Sequence, residues 1–184
     1  MVRTFAVFVT ALVAGVLAVG VLGGCGGTPD AAPPPSSSAP PSASATPTAP
    51  VMPDAARQNT KAGAVAFVKF YIAAFNHAQT TGDVSTLKTL GAKQCVSCNA
   101  VLRAIRRTYS AGGHSVGGDW IVEGQESRLS VGKMRAVYIA GHFEPSTNYT
   151  GAHGQPSHLK GAKIIASFFV RFSDGWKVMR WTRA

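Results

Sequence analysis

The chain has 184 residues, with 18 Lys and Arg against 8 Asp and Glu and only three cysteines. That length allows one folded domain with its own apolar core, and so excludes a scaffold that depends on several disulfides or a structural metal. The formal net charge of +10 makes anionic partners the first class to consider, and no internal repeat is visible.

Arg3 supplies one positive charge ahead of an apolar run from Phe5 to Val21, interrupted by a polar side chain only at Thr10. This is the charge and length pattern of a signal peptide. The run ends in Val21-Leu22-Gly23-Gly24-Cys25. A leucine, two small residues and a cysteine resemble a lipobox, where a bacterial prolipoprotein is acylated on the cysteine sulfur and cut just before it. The resemblance implies a signal peptide over residues 1–24 and a mature chain lipidated at Cys25 on the extracytoplasmic face of the cell membrane. At about 0.8 kcal/mol per buried CH₂, two acyl chains anchor stably where one does not. The alternative is an uncleaved spanning helix, but a Gly-Gly-Cys exit into a Pro-rich segment suits cleavage better.

Residues 25–56 hold nine of the eleven prolines and almost no large apolar side chain. Such a segment cannot form a core and reads as a disordered tether, which at about 3.1 Å per residue could reach roughly 100 Å. Residues 57–184 then form the folded domain. Without the first 24 residues the chain keeps 17 Lys and Arg, the 18 less Arg3, against 8 Asp and Glu. In an exported protein this balance points to anionic lipid headgroups, anionic envelope polymers or an envelope protein rather than nucleic acid, or to a basic surface with no partner. The cations are spread along the sequence.

Ala64, Phe67, Val68, Tyr71, Ile72, Phe75 and Ala78 recur at helical spacing between Thr60, a predicted N-cap, and Gly82, a predicted stop. Tyr71 and His77 are the polar candidates on this helix. Asp83 caps a short helical turn through Leu87 and Leu90 that stops at Gly91. A further helix opens at Cys95-Val96-Ser97-Cys98, carries Val101, Leu102, Ile105 and Tyr109 on one stripe with Arg103 and Arg107 opposite, and ends at Gly112-Gly113.

With Cys25 used for the lipid, Cys95 and Cys98 are an even pair in an oxidising compartment, and a disulfide is the first reading. Redox catalysis is the second, because a CxxC at a helix start lowers thiolate pKa, although such a motif normally follows a strand. Metal binding is the third and lacks the second ligand pair of a closed zinc site. No cofactor motif is present.

Beyond Gly113 the period becomes strand-like: Trp120 to Val122, a weaker stretch from Arg128 to Val131, and Met134 to Phe143, which Pro145 ends. Ser146 to His158 is polar and reads as a loop. Ala162 to Phe172 and Trp176 to Thr182 flank Ser173-Asp174-Gly175 as a hairpin. A two-residue turn places Phe168, Val170 and Phe172 with Met179 and Trp181, a three-residue turn places them with Trp176 and Val178, and both registers stay open. Three helical elements followed by antiparallel strands predict an α+β domain with helices on one face of a curved sheet.

The stretch Phe67-Val68-Lys69-Phe70-Tyr71-Ile72, the segment from Asn76-His77 to Gly82-Asp83, the Cys95-x-x-Cys98 pair and Gly117-Gly118-Asp119-Trp120 resemble an uncharacterised family of actinobacterial lipoproteins. The closing Asp174-Gly175-Trp176-Lys177-Val178 resembles the last strand of the nuclear-transport-factor-2-like (NTF2-like, or SnoaL-like) superfamily. The resemblance implies a cone: helices packed on a strongly curved antiparallel sheet whose open end often forms an apolar pocket. That superfamily holds both enzymes and non-catalytic modules, so fold alone assigns no activity. A pocket enzyme would draw on Tyr71, Asp119, Glu123 and His142, but no second acid is well placed and His142 has no evident carboxylate partner. The reading favoured here is a non-catalytic envelope lipoprotein that binds a partner or an apolar ligand.

Overall fold

Thr60 starts the first helix, α1 (Lys61–Thr81), by accepting the Gly63 N–H at 2.9 Å on its hydroxyl, and Gly82 ends it in the left-handed conformation that a side chain disfavours. This computed structural model describes residues 47–129 and 134–183, so the expected signal peptide, Cys25 and the tether up to residue 46 lie outside the described residues. Among the described residues no helix is long and apolar enough to cross a membrane.

α1 buries Ala64, Phe67, Val68, Tyr71, Ile72 and Ala78, and also Phe70 and Ala74 from outside the predicted stripe. The wider burial has a cause: α1 meets the sheet on one side and a 3₁₀ turn, Asp54–Arg57, with helix α2 (Ser85–Leu90) on the other. Ala56 in that turn is buried and Met52 packs against the core, and the Gln58 carbonyl accepts the Trp176 indole N–H at 3.0 Å. Packing therefore begins ahead of Arg57. Asp83 accepts the Ser85 N–H at 2.8 Å to start α2. Helix α3 (Val96–Ser110) starts on the Cys95 sulfur, buries Cys98, Leu102 and Ile105, and keeps Arg103 and Arg107 exposed.

Among the described residues seven strands follow: β1 (His114–Gly117), β2 (Trp120–Leu129), β3 (Met134–Phe143), β4 (Ser146–Tyr149), β5 (Pro156–Leu159), β6 (Ala162–Phe172) and β7 (Trp176–Arg183). They do not make the expected cone. β2-β3-β6-β7 form one antiparallel sheet and β1-β4-β5 another. Among the described residues β2 and β7 are the outer strands of the larger sheet and do not pair with each other, so it is not closed. The division falls at Gly117-Gly118, both with positive φ (69° and 83°), where the chain turns out of one sheet and into the other.

Three local expectations change as well. The polar stretch after Pro145 is not a loop, because Ser146–Tyr149 pairs with both β1 and β5. Trp120 to Val122 and the described part of the Arg128 to Val131 candidate belong to one strand, Trp120–Leu129, bent by a bulge at Glu123 between Val122 and Gly124. In the last hairpin both registers occur. A three-residue turn opposes Phe172 to Trp176 and Val170 to Val178, and then a bulge at Met179 brings Trp181 opposite Phe168. One extra residue thus puts Trp176, Val178 and Trp181 all on the helix-facing side.

Candidate functional site

Phe75 of α1 meets Trp120 and Phe143 edge-on, each at 6.4 Å between ring centres, while Trp120 and Phe143 lie 5.2 Å apart. This aromatic group sits where β2 and β3 run toward the smaller sheet. Asn76, one residue on, clips the strand to the helix: its amide donates to the Trp120 carbonyl at 3.2 Å and accepts the Trp120 N–H at 3.0 Å. Gln79, a turn later, donates to the Gly118 carbonyl at 3.0 Å. A β-carbon on Gly118 would come within 2.8 Å of that Gln79 amide, so the glycine allows both the turn and the close approach.

Beside these clips lies a cleft of about 610 Å³, floored by Phe75, Phe143 and Ile164 and rimmed by Lys160, Lys163 and Arg183. Three cations face one carboxylate, Glu144, in its lining. The Arg183 guanidinium lies 5.7 Å from the centre of the Phe143 ring, a cation–π placement that holds its charge over the apolar floor. Asn148 and Ser146 are committed to each other and to Ser115: the Ser115 hydroxyl donates to Asn148 at 2.7 Å, and Asn148 donates to Ser146 at 3.3 Å. Among the described residues no cysteine, histidine or tyrosine lines the cleft. Its lining offers apolar contact at the floor and cationic donors at the rim.

The structure does not gather the four polar candidates. Tyr71 is in the core, edge-on to Phe168 at 5.6 Å. Burial pushes its phenol well above the ordinary range, offset only in part by the Trp181 indole; the two polar atoms form no hydrogen bond of good geometry and are buried without partners. His142 does have a carboxylate partner, contrary to the sequence reading: its Nδ1 lies 2.8 Å from Glu123 Oε1. The bulge at Glu123 brings that carboxylate beside His142, a contact no strand alternation foretells. Both are on the sheet face turned away from α1, so the sheet separates them from Tyr71. Asp119 sits at the β1–β2 junction, where its carbonyl accepts the Glu144 N–H at 2.9 Å. His77 is half-buried on α1. Among the described residues no three metal-ligating side chains converge.

Cys95 and Cys98 are disulfide-bonded. The Cys95 sulfur accepts the Cys98 N–H at 3.2 Å, and the Ser97 hydroxyl accepts the Trp181 N–H at 3.0 Å, which ties the start of α3 to β7. Cys95 is 0 % exposed. A thiol-exchange catalyst needs its attacking sulfur open to a partner, and this sulfur is closed off. A four-residue loop is expected to add about 2 kcal/mol in the chain-entropy estimate. The rim cations Lys160, Lys163 and Arg183 were not singled out from sequence, since nothing in their spacing marks them; they come together only when β6 pairs with β3 on one side and β7 on the other.

Fold and cleft together define a small α+β domain with two antiparallel sheets and a ligand-sized hollow at their junction. Over residues 38–163 the chain matches a family of unknown function, DUF6318, and it belongs to that family. No curated protein matches. Among solved structures, the intermembrane space region of the chloroplast protein ARC6 shares the fold at a TM-score of 0.54 and 12% identity, over 68% of this chain and 97% of that one. The Kfla4162 protein from Kribbella flavida has a TM-score of 0.42 at 9% identity, over 64% and 86%. A putative dehydratase of the NTF2-like family from Streptomyces avermitilis has 0.39 at 14% identity, over 63% and 92%. These two likenesses are too loose to bear on fold or function.

Proposed function

We propose that this protein is a non-catalytic binding module, held at the cell membrane by lipid on Cys25 and presented on a tether that ends before Met52, where packing against the core begins, and that its cleft takes an amphipathic anion. The observation that carries the reading is the pairing of an aromatic floor, Phe75 and Phe143, with the cationic rim of Lys160, Lys163 and Arg183. An alkyl or isoprenoid body would displace water from the floor, at about 25 cal/mol per Å² of apolar surface covered. A carboxylate or phosphate end would meet the rim, where charge-assisted hydrogen bonds are stronger than neutral ones. The separation of Tyr71 from the Glu123–His142 pair favours binding over acid–base chemistry.

Two measurements test this. Mass spectrometry of the gently purified protein under native and then denaturing conditions should show a bound amphiphile that is lost on denaturation. Lys163→Gln with Arg183→Gln should weaken dodecyl phosphate binding about tenfold or more; unchanged affinity in that double variant would move the ligand elsewhere. The anchor is tested separately: Cys25→Ala should release the protein from the membrane fraction, and retention through high salt would count for an uncleaved helix.

A further inference from the structure

From Val84 to Gly118 the chain contains no Asp or Glu but five Lys and Arg. They look scattered in sequence, yet the fold draws four of them together. α2 and α3 enclose a groove of about 210 Å³ whose floor includes Leu102 and the disulfide residue Cys98, with Lys88, Lys93, Arg103 and Arg106 among its lining. A broader hollow of about 660 Å³ adjoins it and shares Lys88 and Arg106. Its one acid is Asp83, whose carboxylate is engaged by the Ser85 N–H at 2.8 Å. Among the described residues none of the four cations is ion-paired. Arg107 extends the charge along α3, one turn or roughly 6 Å from Arg103 along the helix axis.

We propose that this groove binds a polyanion carrying repeated phosphates. Four cations, none of them ion-paired among the described residues and with Asp83 the one carboxylate lining the adjoining hollow, repel one another, and a multivalent anion relieves that repulsion while releasing its own counterions. The shape favours a chain over a single headgroup, because the cations line two consecutive hollows and not one closed pocket. Arginine adds paired N–H donors that fit phosphate oxygens, and Lys88 and Lys93 add mobile point charges. The site is independent of the cleft between the sheets and does not rest on that reading.

The test uses the full chain in a non-ionic detergent, with inorganic polyphosphate as the probe. Wild type should bind with an affinity that falls steeply with salt, and its melting temperature should rise on saturation. Lys88→Gln, Arg103→Gln and Arg106→Gln together should weaken binding at least about tenfold and flatten the salt slope by about 2 or more. Arg57→Gln, Lys61→Gln and Lys69→Gln remove as much charge from elsewhere and should cost about twofold or less by long-range attraction alone. Equal losses in the two triple variants, or a melting temperature that polyphosphate leaves unmoved in wild type, overturn the proposal. So does a groove variant that loses binding to phosphatidylglycerol vesicles while keeping its affinity for polyphosphate, since the occupant would then be a membrane.

Discussion

In the four-stranded sheet Val137, Ile139, Ala166, Phe168, Val170 and Val178 are all 0 % exposed, whereas every residue of β1, β4 and β5 in the three-stranded sheet keeps contact with solvent. The first sheet is held by apolar burial, at about 1.5–3 kcal/mol for each fully covered aliphatic or aromatic side chain. The second depends on its own ladders, on the stack of His114 on Tyr149 at 4.3 Å and on the polar clip from Gln79 to the Gly118 carbonyl, while Asn76 ties the start of β2 in the first sheet to α1. The cleft lies where they meet, with buried Ile164 of the first sheet in its floor and half-buried Ser146 and Asn148 of the second in its wall.

The comparison yields four tests in order of size. Phe168 touches Tyr71, Trp120 and Trp181 with ring centres 5.6–5.9 Å apart, and Phe168→Ala should cost about 3–5 kcal/mol in urea unfolding. A cost under about 1 kcal/mol would mean the core is not organised around it. Asn76→Ala leaves both Trp120 backbone groups without partners and should cost about 2–3 kcal/mol. Its signature is local: amide exchange should speed up at Trp120 and the start of β2 while β6 stays protected. His114→Ala should cost less than about 1 kcal/mol, since the stack is at the surface, and a larger loss would show that the smaller sheet is more cooperative than its exposure implies.

Tyr71→Phe should be the smallest change, neutral or slightly stabilising near pH 7, because it removes a buried hydroxyl that has no partner. Its effect is on pH dependence. The folded phenol is raised above its unfolded value of 10.0, so its contribution is complete below that pH and is lost as pH climbs beyond it. Wild type should therefore lose stability above about pH 10 more steeply than Tyr71→Phe. Parallel melting curves through the alkaline range would remove Tyr71 from the account.

How much of this could be read beforehand depends on the range of the interactions involved. α1 was legible from Thr60 to Gly82 because its caps and apolar spacing act within a few residues, and α3 was legible for the same reason. The two sheets were not, because β1 must pair with β4 across more than two dozen residues and nothing in His114–Gly117 names its partner. The bulges at Glu123 and Met179 were equally hidden. Each shifts the side-chain alternation by one, and each decides a contact that matters, Glu123 with His142 and Trp181 with Phe168.

Sequence by itself determined the α+β class, the three helices with their ends, and the pairing of Cys95 with Cys98 as the first reading. Tertiary structure alone decided that the strands divide into two sheets, that Tyr71 is walled off from His142, that the cleft gains a cationic rim, and that Lys88, Lys93, Arg103 and Arg106 share one groove. The physical reason is common to both lists. Caps, periodicity and composition are set by neighbours along the chain, while a site is made of side chains whose proximity exists only after strands and helices from distant parts of the chain have packed.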